Sequence, residues 1–196
     1  MIPGLLPVLI ALVLMSVTSL RPNGSEEFAS VMTLKCEADC LQFTSIHDSV
    51  MGGISSGHIV FRDGRGVFEG VVRTENNGGF ASVRRGVQLD ARGFDGLYLD
   101  VASGDPSRPY SLGLKDGMCL SMGGINFKAK FVASSTIGRV LVPFSEMLPE
   151  FRGRTLTSVP PLDVGNIKEL SLYAIRPAGS FRLTLAEVGF FRKSIG

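Results

Sequence analysis

The chain has 196 residues with 20 basic and 18 acidic side chains, a formal charge of only +2, which weighs against a strongly cationic nucleic-acid-binding face. It holds 24 Gly and 10 Pro but no Trp and only two His, so turn formers abound while the usual proton-transfer and metal-ligating residue is scarce. No catalytic set, metal site, cofactor or nucleic-acid partner is expected from it.

Residues 1–20 carry no charged side chain. Their apolar run Val8–Met15 has the length of a signal-peptide hydrophobic region and falls short of the roughly 20 residues that span a bilayer. Pro3, Gly4 and Pro7 weaken a full span further. Val17 and Ser19 suit a cleavage site, and Asn23-Gly24-Ser25 is an N-glycosylation sequon, so secretion is one reading. Yet no Lys or Arg precedes the run, and with Arg21 as the first Arg the segment lacks the pattern of an Arg-rich mitochondrial presequence. We read residues 1–20 as an apolar leader (signal peptide, membrane anchor or targeting segment), 21–39 as a polar linker, and 40–192 as one domain. Membrane association would run through the leader.

Cys36, Cys40 and Cys119 form an odd set, which leaves one thiol over whatever pairing is drawn and points to a reducing compartment. With His47 and His58 they match no compact zinc spacing.

From Leu41 onward the period is two. Strands are predicted at His58–Arg62, Val67–Arg73, Phe80–Arg84, Leu97–Val101 and Tyr110–Lys115. Further strands follow at Ile125–Phe131, Arg139–Val142, Glu169–Ile175 and Phe181–Leu185, the first of these alternating without a fault. Turn clusters such as Asp63-Gly64-Arg65-Gly66, Asn76-Asn77-Gly78-Gly79 and Ser103-Gly104-Asp105-Pro106 separate them. Some nine short strands with frequent turns indicate a β-sandwich or barrel. Helix is expected only as single turns, as at Ser145–Leu148 between Pro143 and Pro149.

Three segments stand out. His47–Gly57 is rich in small residues, admits close approach of another chain, and lacks the Lys-Ser/Thr of a phosphate loop. Glu75–Arg85 places Asn-Asn-Gly-Gly, suited to positive φ, before a strand in which Phe80 faces inward and Arg84 and Arg85 project to different faces. Pro149–Arg154 sets Arg152 and Arg154 about Gly153, suited either to binding acidic groups or to pairing with Asp163 or Glu150. Asp48 is a candidate turn cap, with Arg84 or Arg152 as a candidate ion-pair partner inside the fold.

Together these segments resemble the complex I intermediate-associated protein 30 family. Asp48–Ser55 is similar to its Asp-x-Val-Met-Gly-Gly-x-Ser, Asn77–Arg84 to its Asn-Gly-Gly-Phe-Ala-Ser-Val-Arg, and Pro143-Phe144 with Phe151–Arg154 to its Pro-Phe and Phe-Arg-Gly-Arg. Gly179–Leu183 matches Gly-x-Phe-x-Leu. The resemblance implies an all-β, galactose-binding-like jelly-roll sandwich that acts as a non-enzymatic, chaperone-like assembly factor of mitochondrial complex I. It also implies that Asp48, Met51, Gly52, Gly53, Ser55, Asn77, Gly78, Gly79, Phe80, Ser82, Arg84, Arg152, Gly153 and Arg154 contact complex I subunits or other assembly factors. Phe43 and Ile137 stand where the family usually has Trp, both expected in the core, and His47 where it commonly has Asn. The alternative is a secreted or membrane-tethered carbohydrate-binding module, for which Tyr98, Tyr110 and Tyr173 are few aromatic platforms.

Overall fold

Strands with one wet face need a second layer, and here two antiparallel sheets bury each other's apolar sides. The computed structural model describes residues 26–48 and 52–193, so the apolar leader and Met51 lie outside the described residues. In chain order the strands are β1 (Glu27–Thr33), β2 (Thr44–His47), β3 (Ser56–Arg62), β4 (Arg65–Val72), β5 (Phe80–Leu89), β6 (Gly96–Ser103) and β7 (Tyr110–Asp116). Then come β8 (Asn126–Phe131), β9 (Gly138–Pro143), β10 (Leu148–Phe151), β11 (Arg154–Thr155), β12 (Ile167–Ile175) and β13 (Gly179–Arg192). One sheet runs β3-β4-β13-β6-β9, with β1 also paired to β13; the other runs β11-β10-β8-β7-β12-β5-β2. The chain crosses repeatedly between the layers, which makes the sandwich a jelly roll.

All nine strands expected from the sequence are present. In β8 the fault-free alternation sends Phe127, Ala129 and Phe131 into the core and leaves Lys128 and Lys130 outside. Leu97, Leu99, Val101, Leu183 and Leu185 of the first sheet join Leu112, Leu114, Leu170 and Leu172 of the second in a single core.

The structure adds to or departs from the sequence reading at several points. Residues 27–33, read as part of a linker, form β1, which pairs with the C-terminal half of β13 where β4 has ended. Its pattern was hidden because β1 is an edge strand with a bulge between Ser30 and Met32, which breaks the alternation. The expected turn at Ser145–Leu148 is a 3-10 turn at Phe144–Glu146, and Leu148 starts β10, where Pro149 lies opposite Phe127. Helical turns also form at α1 (Glu37–Cys40) and α2 (Gly117–Ser121), the second because the Asp116 carboxylate accepts from Cys119 N–H at 2.8 Å. Finally, Phe43 packs against the core as expected, but Ile137 is exposed.

Just after β1, Leu34 is fully buried and its N–H donates to the Ala186 carbonyl at 3.1 Å. A Cβ on Gly66 would fall 2.3 Å from Leu34 Cδ2, so glycine at 66 makes room for this side chain. Leu34→Ala should therefore lower unfolding stability in urea by about 2–5 kcal/mol. An unchanged midpoint would return this segment to the status of a tether.

Candidate functional site

The strands bring two of the three motif segments to one point. Asp48, at the end of β2, is fully buried. Its carboxylate accepts from Ser55 N–H at 3.0 Å, Ser55 Oγ at 2.5 Å, Gly79 N–H at 2.8 Å and Phe80 N–H at 3.3 Å. Ser55 Oγ in turn accepts from Arg73 N–H at 2.9 Å, tying in the end of β4. A Cβ on Gly53 would lie 2.3 Å from Asp48 Cγ, and one on Gly78 2.6 Å from Asp48 Oδ2. The glycines are there because the backbone closes directly around the carboxylate.

Burial pushes the pKa of Asp48 up, but the hydrogen bonds from Ser55, Gly79 and Phe80 outweigh it and hold the carboxyl below its ordinary value. It is therefore the charged carboxylate that joins the two loops. Neither arginine considered as its partner reaches it: Arg84 pairs with Glu169, and Arg152 lies 5.3 Å over the Phe151 ring. Asp48 is a cap, as the sequence allowed, and it caps both loops.

Beside it, both ring nitrogens of His47 face backbone N–H groups, Gly57 at 3.3 Å and Ser82 at 3.4 Å. Burial lowers the pKa of His47, with Asp48 opposing that shift. Protonating the ring would set N–H against N–H on both sides.

Motif residues not buried in this knot face outward. On the outer side of the seven-stranded sheet, Phe80, Ser82 and Arg84 of β5 lie beside Ile175, Tyr173 and Ser171 of β12. Phe80 was expected to face inward; instead Ala81 and Val83 enter the core, and the Phe80 ring packs 5.9 Å from Tyr173. The start of β5 is pinned by Asp48, and only the small Ala81 fits opposite Ala174 in the core. Arg84 and Arg85 do point to opposite faces, Arg85 toward Met32 and Phe43.

The same face holds residues that the sequence did not single out. Glu169 accepts an ion pair from Lys115 at 2.8 Å and a longer one from Arg84 at 3.5 Å. Asn126 lies across Gly113 and donates to Ser171 Oγ at 3.2 Å and Tyr173 Oη at 2.7 Å, while its buried Oδ1 has no hydrogen-bond partner. Lys128 bridges Glu150 at 3.3 Å and the Tyr173 ring at 4.3 Å. The alternation of β8 marked Lys128 as outward, but only the sheet order shows what it meets.

The third motif forms the β10–β11 hairpin at the edge of this sheet, with Phe151 opposite Arg154 and Arg152 and Gly153 both at positive φ in the turn. Arg152 and Arg154 are exposed and pair with neither Glu150, which is held by Lys128, nor Asp163. Gly52 and Asn77 are exposed as well. Among the described residues, no group of three or more His, Cys, Asp or Glu is placed to hold a metal ion. All three cysteines are free, and burial pushes the Cys119 thiol up to about 11.

The profile of the complex I intermediate-associated protein 30 family matches residues 32–185. The chain belongs to that family. It is similar to the uncharacterized protein C9E9.15 of Schizosaccharomyces pombe, 27% identical over an alignment 174 residues long that covers 78% of this chain and 79% of that one. In fold it resembles the family 11 carbohydrate-binding module of Clostridium thermocellum solved with a mixed-linked β-1,3-1,4 tetrasaccharide. There the TM-score is 0.59 and the identity 15%, covering 87% of this chain and 96% of the module. It also resembles the agarase AgWH50C, with a TM-score of 0.53 and 11% identity over 77% of this chain and 22% of the enzyme. At such identities the likeness is one of fold, and it agrees with the galactose-binding-like sandwich expected. Among the described residues no helix is long and apolar enough to cross a membrane.

Two measurements test this site. Asp48→Ala strands the Ser55, Gly79 and Phe80 donors, so it should cost about 3 kcal/mol or more in urea unfolding. Full retention of stability would mean the knot does not hold the loops. For His47, the folded pKa lies below the ordinary 6.5, so the unfolded chain takes up its proton first and stability drops as pH falls below that value. Asp48 plays no part there, since its contribution is lost only as pH falls from 3.8 through its lower folded value. Wild type should lose stability between about pH 7.5 and 5.5, and His47→Gln should lose less. Equal slopes would remove His47 from the account.

Proposed function

We propose that the chain is a non-enzymatic, chaperone-like assembly factor of respiratory complex I, working in the mitochondrion through contacts with complex I subunits or other assembly factors. The observation that carries this reading is the family match over 32–185, most of the folded chain. The architecture supports it. The buried motif residues Asp48, Gly53, Ser55 and Gly78, with the half-buried Gly79, build the fold, and the exposed ones, Gly52, Asn77, Arg152, Gly153 and Arg154, are free to touch a partner. Phe80, Ser82 and Arg84 belong to the sheet face between them.

Carbohydrate binding finds less support. Of the three tyrosines, Tyr110 is fully buried, Tyr98 lies beneath the Arg139 guanidinium at 3.9 Å, and Tyr173 lies beneath Lys128. None offers an open ring for a sugar to stack on.

Deleting the gene should deplete mature complex I and leave a subcomplex on native gels, and re-expression of the full chain should restore it. Normal complex I in the deletion strain would overturn the assembly reading.

A further inference from the structure

We propose that the outer face of the seven-stranded sheet, together with its edge hairpin, docks an acidic segment of the partner protein; naming that partner a complex I component rests on the reading above. The two outer faces of the sandwich differ in charge. On the six-stranded sheet, Arg62 and Arg182 share Glu69, Arg139 forms a two-pronged pair with Asp100 at 2.8 and 2.6 Å, and Tyr98 is bonded to Glu187. With Arg65 at the strand end, four cations there meet three carboxylates. The seven-stranded face has Arg84, Lys115, Lys128 and Lys130, and its hairpin adds Arg152 and Arg154. Only Glu150 and Glu169 oppose these six, a surplus of four positive charges in a chain whose total is +2.

The pairing within this face sharpens the point. Glu169 already has two cations and Glu150 has Lys128, so Lys130, Arg152 and Arg154 are left with no carboxylate among the described residues. They flank β10, whose exposed Leu148 shares the outer face with Lys128, while its exposed Phe151 alternates to the other side of the hairpin beside Arg154. Carboxylates interleaved with apolar side chains would satisfy both features at once. A polypeptide can supply that mixture. A nucleic-acid backbone cannot, because its phosphates repeat at every nucleotide and leave no apolar group to place opposite Glu150 and Glu169. The strands fix the backbone positions of Arg84, Lys115, Lys128 and Lys130, so binding has to order only their side chains. The buried Asn126 Oδ1, without a partner, sits in the middle of the same face.

The test uses the full chain and poly-L-glutamate as the probe, with poly-L-lysine and heparin alongside. Wild type should retain poly-L-glutamate at low salt, ignore poly-L-lysine and release the acidic polymer as salt rises. The triple variant Lys130→Glu/Arg152→Glu/Arg154→Glu should weaken retention by more than about tenfold. Arg62→Glu/Arg65→Glu/Arg182→Glu, with the same change in net charge on the other sheet, should bind close to wild type. Equal losses in both triple variants would mean a general charge effect and overturn the proposal, as would no binding at all. Tighter retention on heparin than on poly-L-glutamate, with the same variant pattern, would assign the face to an acidic polysaccharide and overturn it too. Should the first triple variant melt early, Lys130→Gln and Arg154→Gln give the same reading at smaller amplitude. The deletion strain keeps the two ideas apart: normal complex I there sinks the assembly reading whatever the polymer does. Full rescue by the triple variant sinks only the face.

Discussion

A single buried carboxylate sets the frame for the rest of the molecule. Asp48 binds four donors from two loops, and those loops lead into β3 and β5. Because side chains in a strand alternate with a period of two, the position of Gly79 and Phe80 on this carboxylate decides which set of β5 side chains enters the core. Pinned as they are, Ala81 and Val83 go in while Phe80, Ser82 and Arg84 go out. A slip of one residue would bury Arg84 and expose Val83.

That dependence explains why the two motifs read as units. A carboxylate taken out of water is tolerable only when its acceptor sites are filled. Ser55, Gly79 and Phe80 fill them, and Gly53 and Gly78 are the positions where a side chain would collide with it. Much of the motif chemistry is thus internal, and the motif residues left open to solvent are those the knot orients outward.

The fold class and nine strands were legible because a sheet with one wet face writes its alternation into the sequence, nowhere more plainly than in Ile125–Phe131. β1 was not, since an edge strand with a bulge keeps neither the alternation nor a turn on both sides. Asp48 could be read as a cap, but the identity of its donors depends on bringing residue 79 to residue 48. Phe80 was misassigned for the same reason: local pattern places a bulky apolar side chain inward, and tertiary geometry overrode it. Glu169, Lys115 and Asn126 carry no local signal of one another; their meeting is a product of strand order.

The strength of the surface contacts bears on what such a protein is suited to do. Exposed ion pairs contribute about 0–1 kcal/mol each and weaken with salt, whereas opposite fields on two surfaces speed their encounter. A rigid sheet face carrying a few unpaired cations therefore favours fast capture over long residence. For the assembly role proposed above, a factor that must release its client is poorly served by affinity carried on one large apolar interface, which would hold it too long. In this sandwich most large apolar side chains are used between the sheets, and the outer face of the seven-stranded sheet carries its charges around only a few apolar groups such as Phe80 and Leu148.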